Sequence, residues 1–120
     1  LLVCVRAHEP AKGTWDLPGG FVDEHESAEE ALHREIREEL HADVETARIL
    51  FTLPNEYLYS GWTTPTLDIF FSCKLHENQN ITASDDVSEV FYVPLKDVDP
   101  EKFGLTSIRQ AIGKFIQINP

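Results

Sequence analysis

The chain opens on an unbroken apolar block. Leu1 to Ala7 is a short, mostly apolar run, the pattern of a buried strand. His8 to Gly20 is punctuated by Pro10, Gly13, Pro18, Gly19 and Gly20 and reads as a loop. The period then changes. Ser27-Ala28-Glu29-Glu30 is a capping box with Ser27 as N-cap. Ala28, Leu32, Ile36 and Leu40 recur every four residues, which predicts a helix ending near Leu40. Val44 to Leu53 has strand composition, centred on Ile49, Leu50 and Phe51. Pro54 to Pro65 reads as a loop rich in aromatics, with Tyr57, Tyr59 and Trp62. Thr66 to Leu75, with Leu67, Ile69, Phe70 and Phe71, is the strongest strand pattern in the chain. A polar stretch from His76 to Ser88 leads to a strand at Val90 to Val93, stopped by Pro94. Leu105 to Ile118 predicts a last helix, with Ile108, Ala111, Ile112, Phe115 and Ile116 on one face and Ser107/Gln110 as a weak capping box. No repeat or linker divides residues 1–120, so one α/β domain is expected, a mixed sheet covered by helices.

Charge changes the picture. Asp and Glu number 21 against 10 Lys and Arg, a net charge of -11. No basic stripe could follow a nucleic-acid backbone, which argues against DNA or RNA as partner. No window approaches the ~18 apolar residues of a membrane span, so no membrane association is expected. Cys4 and Cys73 stand far apart in apolar runs and outside any CxxC pair, so zinc is not indicated and two buried free thiols in a reducing cytoplasm are expected. The chain contains no methionine and starts inside a strand, and the expectation is that an N-terminal portion is missing.

The acids are not evenly spread. Ten of the 21 fall between Asp23 and Glu45, offset there only by Arg34 and Arg37. Glu35 and Glu38 are i,i+3 and Glu35 and Glu39 i,i+4, so on a helix the three carboxylates share one face and repel. A hard divalent cation, Mg²⁺ or Mn²⁺, is the natural counter-charge. A solvated acidic face answered by Arg34 and Arg37 is the plainer alternative.

Gly20, Glu26, Arg34, Glu35, Ile36, Glu38 and Glu39 stand in the spacing Gly-x5-Glu-x7-Arg-Glu-(aliphatic)-x-Glu-Glu, which resembles the box of the Nudix hydrolase family. Trp15-Asp16-Leu17-Pro18-Gly19-Gly20 is similar to the lead-in common there. The resemblance implies an α/β/α sandwich with a mixed sheet between helices, and metal-dependent hydrolysis of a pyrophosphate bond in a nucleoside diphosphate derivative. It further implies Glu35, Glu38 and Glu39 as metal ligands, the Gly19 carbonyl as another, and Glu38 or Glu39 as the base for the attacking water. Arg34, pairing with Glu26, would hold the loop that Gly20 begins. Such relatives often take a further acid from a downstream loop, here Asp86 first and Glu89 second. Thr52-Leu53-Pro54-Asn55-Glu56-Tyr57-Leu58-Tyr59-Ser60 is similar to a degenerate form of a motif of NADH pyrophosphatases, so NADH or ADP-ribose is the expected substrate. Trp15, Tyr57 and Tyr59 are the expected substrate contacts, with Trp62 as another ring able to stack on a base. A nucleoside triphosphate pyrophosphatase and a non-catalytic nucleotide sensor are the alternatives, and a homodimer is common in the family. One departure stands out. The family has glycine where this chain has His41, so His41 is expected to carry the left-handed turn that ends the helix.

Overall fold

The computed structural model describes residues 1–120, apart from the side chain of Tyr59. Strand β1 is Leu2–Arg6, β2 Trp15–Asp16, helix α1 Ala28–Leu40, β3 Val44–Tyr59, β4 Trp62–Leu75, β5 Val87–Tyr92 and helix α2 Thr106–Ile118, with short 3-10 turns at Leu95–Asp97 and Pro100–Lys102.

β1 lies between β2 and β5, antiparallel to both. A parallel bridge from Trp15 to Phe103 makes this sheet mixed. Successive side chains of a strand leave opposite faces, and both faces of β1 are covered. Cys4 packs with Ile36 and Leu40 of α1, while Val3 packs with Phe103 and with Ile112 of α2. The unbroken apolar block at the start of the chain therefore becomes the middle layer of an α/β/α sandwich. No helix is long and apolar enough to cross a membrane, among the described residues.

α1 begins where the capping box places it. The Glu30 amide donates to Ser27 Oγ at 3.1 Å, and the Ser27 amide to Glu30 Oε1 at 3.0 Å. Its buried stripe differs in part: Ala31 is buried with Ile36 and Leu40, while Ala28 and Leu32 are only partly so. A strict four-residue repeat drifts by about 40° per step on a helix of 3.6 residues per turn, so the stripe moves off Ala28. The helix ends at His41, at φ 52° and ψ 39°, with its amide donating to the Arg37 carbonyl at 3.1 Å.

Four expectations need correction. Pro54 to Pro65 is not a loop: β3 and β4 pair continuously from Val44↔Leu75 to Tyr59↔Trp62 around Ser60-Gly61. Both turn residues have positive φ, 50° and 82°, as a tight hairpin turn requires. The two prolines are tolerated because a two-stranded ribbon consists of edge strands only. β5 starts at Val87 rather than Val90. α2 starts at Thr106 with Leu105 as N-cap and no side-chain cap bond, so Ser107 falls inside the first turn and its capping box does not form. Both thiols are free, but only Cys4 is buried; Cys73 is exposed, since the ribbon is not covered on both faces as β1 is.

His41→Gly is expected to raise stability by about 1 kcal/mol or less, because glycine meets no Cβ clash at positive φ but adds freedom to the unfolded chain. A thermal melt checks this, and a lower melting point would contradict it.

Candidate metal centre

Helix α1 delivers Glu35, Glu38 and Glu39 to one side, but packing treats them differently. Glu39 is buried at 6% exposure, the one charged residue in the core among the described residues. Its Oε1 accepts the Gly19 amide at 2.7 Å. Burial pushes its carboxyl up to about 8; the charges of Glu35, Asp16 and Asp86 add to the rise and the Gly19 amide opposes it. The Glu35 side chain is mostly covered and that of Glu38 half-exposed.

Arg34 organises the rest. Its Nε and Nη2 hold Glu26 Oε2 and Oε1 at 2.8 and 3.0 Å, a bidentate pair. Its Nη1 reaches Glu35 Oε1 at 2.8 Å and Glu38 Oε2 at 3.2 Å, and Nη2 also donates to the Phe21 carbonyl at 2.9 Å. The hydrogen bonds from Arg34 hold the Glu26 carboxyl below the usual range. Glu26 in turn accepts the Asp23 amide at 2.9 Å, which closes the loop before the helix. Gly20 lies flat against Glu35: a Cβ there would sit 2.6 Å from Glu35 Cδ.

The lead-in is fixed from β1. Arg6 Nη1 donates to Asp16 Oδ2 at 2.7 Å, and Asp16 Oδ1 accepts the Leu17 amide at 2.8 Å. Burial raises the Asp16 carboxyl, with the Leu17 amide and Arg6 opposing. This pair escaped the sequence reading; the one signal for it is a lone arginine at the end of an apolar strand. Cys4 is near the same acids. Burial first, then Glu39 and Asp16, push its thiol up to about 12, so it stays protonated and unreactive.

Downstream, residues 82–84 close over the end of α1. The Ser84 amide and hydroxyl donate to the carbonyls of Glu39 and Glu38 at 2.9 and 2.5 Å, and the Thr82 amide to that of Leu40 at 3.1 Å. These bonds satisfy carbonyls left open at a helix end and bring Asp86 within electrostatic reach of Glu39. Asp86 itself is exposed, 3.7 Å from His8 Nε2. Glu89 sits in β5 opposite Val5.

Chemically the donor set is one of hard oxygens, Glu35, Glu38, Glu39 and Asp86, which suits Mg²⁺ or Mn²⁺. Geometrically, no three His, Cys, Asp or Glu groups converge on one point among the described residues. Arg34 draws Glu35 and Glu38 to one side while Gly19 holds Glu39 on the other. The observation that fits a cation is a buried Glu39 carboxyl, lifted by burial and further by the charges of Glu35, Asp16 and Asp86, since a positive charge there would favour its ionised form.

The substrate candidates separate. Trp15 is a packing residue, edge-on to Phe91 and Phe103 at 5.5 and 5.8 Å, with Lys102 Nζ 4.7 Å from its ring centroid. Tyr57 meets Phe21 edge-on, and Trp62 stands exposed at the hairpin turn. The side chain of Tyr59 lies outside the described residues.

A family model described as NUDIX domain matches residues 1–114. The low-salt glycan biosynthesis protein Agl8 of Haloferax volcanii is 40% identical over 57 residues, 48% of this chain and 36% of that protein. The 8-oxo-dGTP diphosphatase of Proteus vulgaris is 38% identical over 45 residues, 38% of this chain and 40% of that protein. The chain thus spans well under half the length of these relatives. Among solved structures, the NUDIX domain of Shewanella oneidensis NrtR complexed with ADP ribose superposes with a TM-score of 0.75 at 25% identity, covering 99% of this chain and 77% of that one.

Two outcomes follow from the site. An unfolded glutamate releases its proton near 4.5 and Glu39 in the fold near 8. Between these values the folded state binds more protons, so stability falls as pH rises. In chelator the melting temperature should therefore drop from about pH 5 to about pH 9, and Glu39→Gln should flatten that drop, melting at least ~4 °C higher than the wild type at the alkaline end. Gly20→Ala should displace the Glu35 carboxylate and weaken Mg²⁺ binding measured by calorimetry.

Proposed function

The chain belongs to the NUDIX domain family, and on that premise we propose that it is a divalent-metal-dependent pyrophosphohydrolase acting on a nucleoside diphosphate derivative. The observation that carries the reading is the buried Glu39 carboxyl, held by the Gly19 amide and crowded by Glu35, Asp16 and Asp86. A structural core has no use for such crowding, whereas a cation relieves it.

Glu35, Glu38 and Glu39 would hold the ion, with the Gly19 carbonyl and Asp86 as further oxygen donors. When bound, the metal neutralises phosphoryl charge and makes water a better nucleophile. The chain's own residues do the remaining work. Gly19 fixes one Glu39 oxygen, which leaves Oε2 to act. Arg34 holds the Glu35 and Glu38 carboxylates by hydrogen bonds and ties the loop to the helix. The proton of the attacking water passes to Glu39 Oε2 or to the half-exposed Glu38 carboxylate.

ADP-ribose is the preferred substrate class, supported by the 25%-identical NrtR domain found with ADP ribose; NADH shares the same linkage. The diphosphatase relative favours a nucleoside triphosphate instead. A panel of ADP-ribose, NADH, diadenosine polyphosphates and nucleoside triphosphates with Mg²⁺ separates the readings.

Glu39→Gln is expected to remove nearly all hydrolysis while circular dichroism stays that of the wild type; turnover at the wild-type rate would overturn the metal-site assignment. Chelator should abolish activity and leave the fold intact, because the inward stripe of α1 packs without the ion.

A further inference from the structure

We propose that the ring pair of Phe21 and Tyr57 seats the nucleobase of the substrate. The inference rests on the hydrolase reading and adds the part of the ligand that carboxylates cannot grip. The ring centroids lie 4.8 Å apart at an interplanar angle of 77°. Phe21 is 57% exposed and Tyr57 42%. A contact serving only to pin the loop to the hairpin would bury its rings, whereas Phe21 keeps more than half its surface open beside an edge-on partner. That is an aromatic corner in which a flat heterocycle can stack on one ring and meet the other.

Its position fits the diphosphate site. The Phe21 carbonyl accepts Arg34 Nη2 at 2.9 Å, and the same guanidinium holds Glu35 at 2.8 Å. The preceding residue, Gly20, is the one pressed against the Glu35 carboxylate. Phe21 is therefore the next residue along the chain from the one that packs against the carboxylate that would hold the cation on the diphosphate. Tyr57 reaches it from β3, opposite Thr64 in the hairpin. Loop and hairpin thus each supply one ring, and Arg34 fixes the loop half relative to the glutamates. Stacking reads a flat ring and its area rather than its hydrogen-bonding edge. The seat therefore takes a purine more tightly than a pyrimidine and discriminates little between adenine and guanine.

The test compares two ligands that resist hydrolysis and differ by the nucleoside: adenosine 5′-(α,β-methylene)diphosphate and methylenediphosphonate, each titrated calorimetrically with Mg²⁺ into wild type, Phe21→Leu, Tyr57→Leu and Phe21→Trp. Both leucine variants should weaken the nucleoside ligand by roughly five- to a hundredfold, the worth of one stacked base, and leave methylenediphosphonate unchanged. Phe21→Trp, which restores a π face, should bind like the wild type. Unchanged binding of the nucleoside ligand in both leucine variants overturns the proposal. So does an equal loss for the two ligands, which marks a loop-pinning role. Failure of the wild type to bind either ligand or to cleave any member of the panel sinks the hydrolase reading itself, a distinct result.

Discussion

Everything at the acidic end of α1 depends on one guanidinium. Glu26, Glu35 and Glu38 all lean on Arg34, and the Phe21 carbonyl takes its remaining side. Without that cation, carboxylates on adjacent turns would repel one another and the loop from Gly19 to Glu26 would lose its anchor. The planar fork matters as much as the charge, since an ammonium could not hold Glu26 through two parallel bonds while also reaching Glu35. Arg34 thus joins three things the chemistry needs together: a loop that approaches closely, a helix that carries acids, and an aromatic corner that faces solvent.

Glu39 is the exception, turned inward where Arg34 makes no contact with it. Its place follows from the sandwich. β1 is buried on both faces, α1 must lie close on the Cys4 side, and the last turn of α1 is pressed between that sheet and the lead-in held by the Arg6–Asp16 pair. Residues 82–84 then bind the carbonyls of the same turn and deliver Asp86. A layered fold with ordinary packing thereby collects acids from three distant segments around one buried carboxyl. Burial lifts the Glu39 carboxyl first, and the charges of Glu35, Asp16 and Asp86 add to the rise.

The sequence by itself determined α1: its cap at Ser27, its length, its acidic face, the Glu26–Arg34 partnership implied by the family likeness, and the left-handed exit at His41. These are short-range matters, since partners three to eight residues apart on a regular helix and the loop leading into it meet wherever the chain folds. It also determined that β1 is a buried strand, because a mostly apolar run suits little else; that helices cover both its faces is shown by the fold. Tertiary structure decided the rest. The hairpin through Pro54 to Pro65 was hidden because prolines and aromatics read as a loop until a ribbon with two free edges accommodates them. Trp15 packs edge-on against Phe91 and Phe103, rings far along the chain that no local pattern brings to it. Cys73 stayed exposed although it lies in a strand that carries Leu67, Ile69, Phe70 and Phe71. Which of three glutamates is buried could not be read from a helical face on which all three stand alike. Burial belongs to the surfaces that meet there, and those come from the lead-in loop, β1 and the turn before β5, segments whose meeting no local pattern encodes.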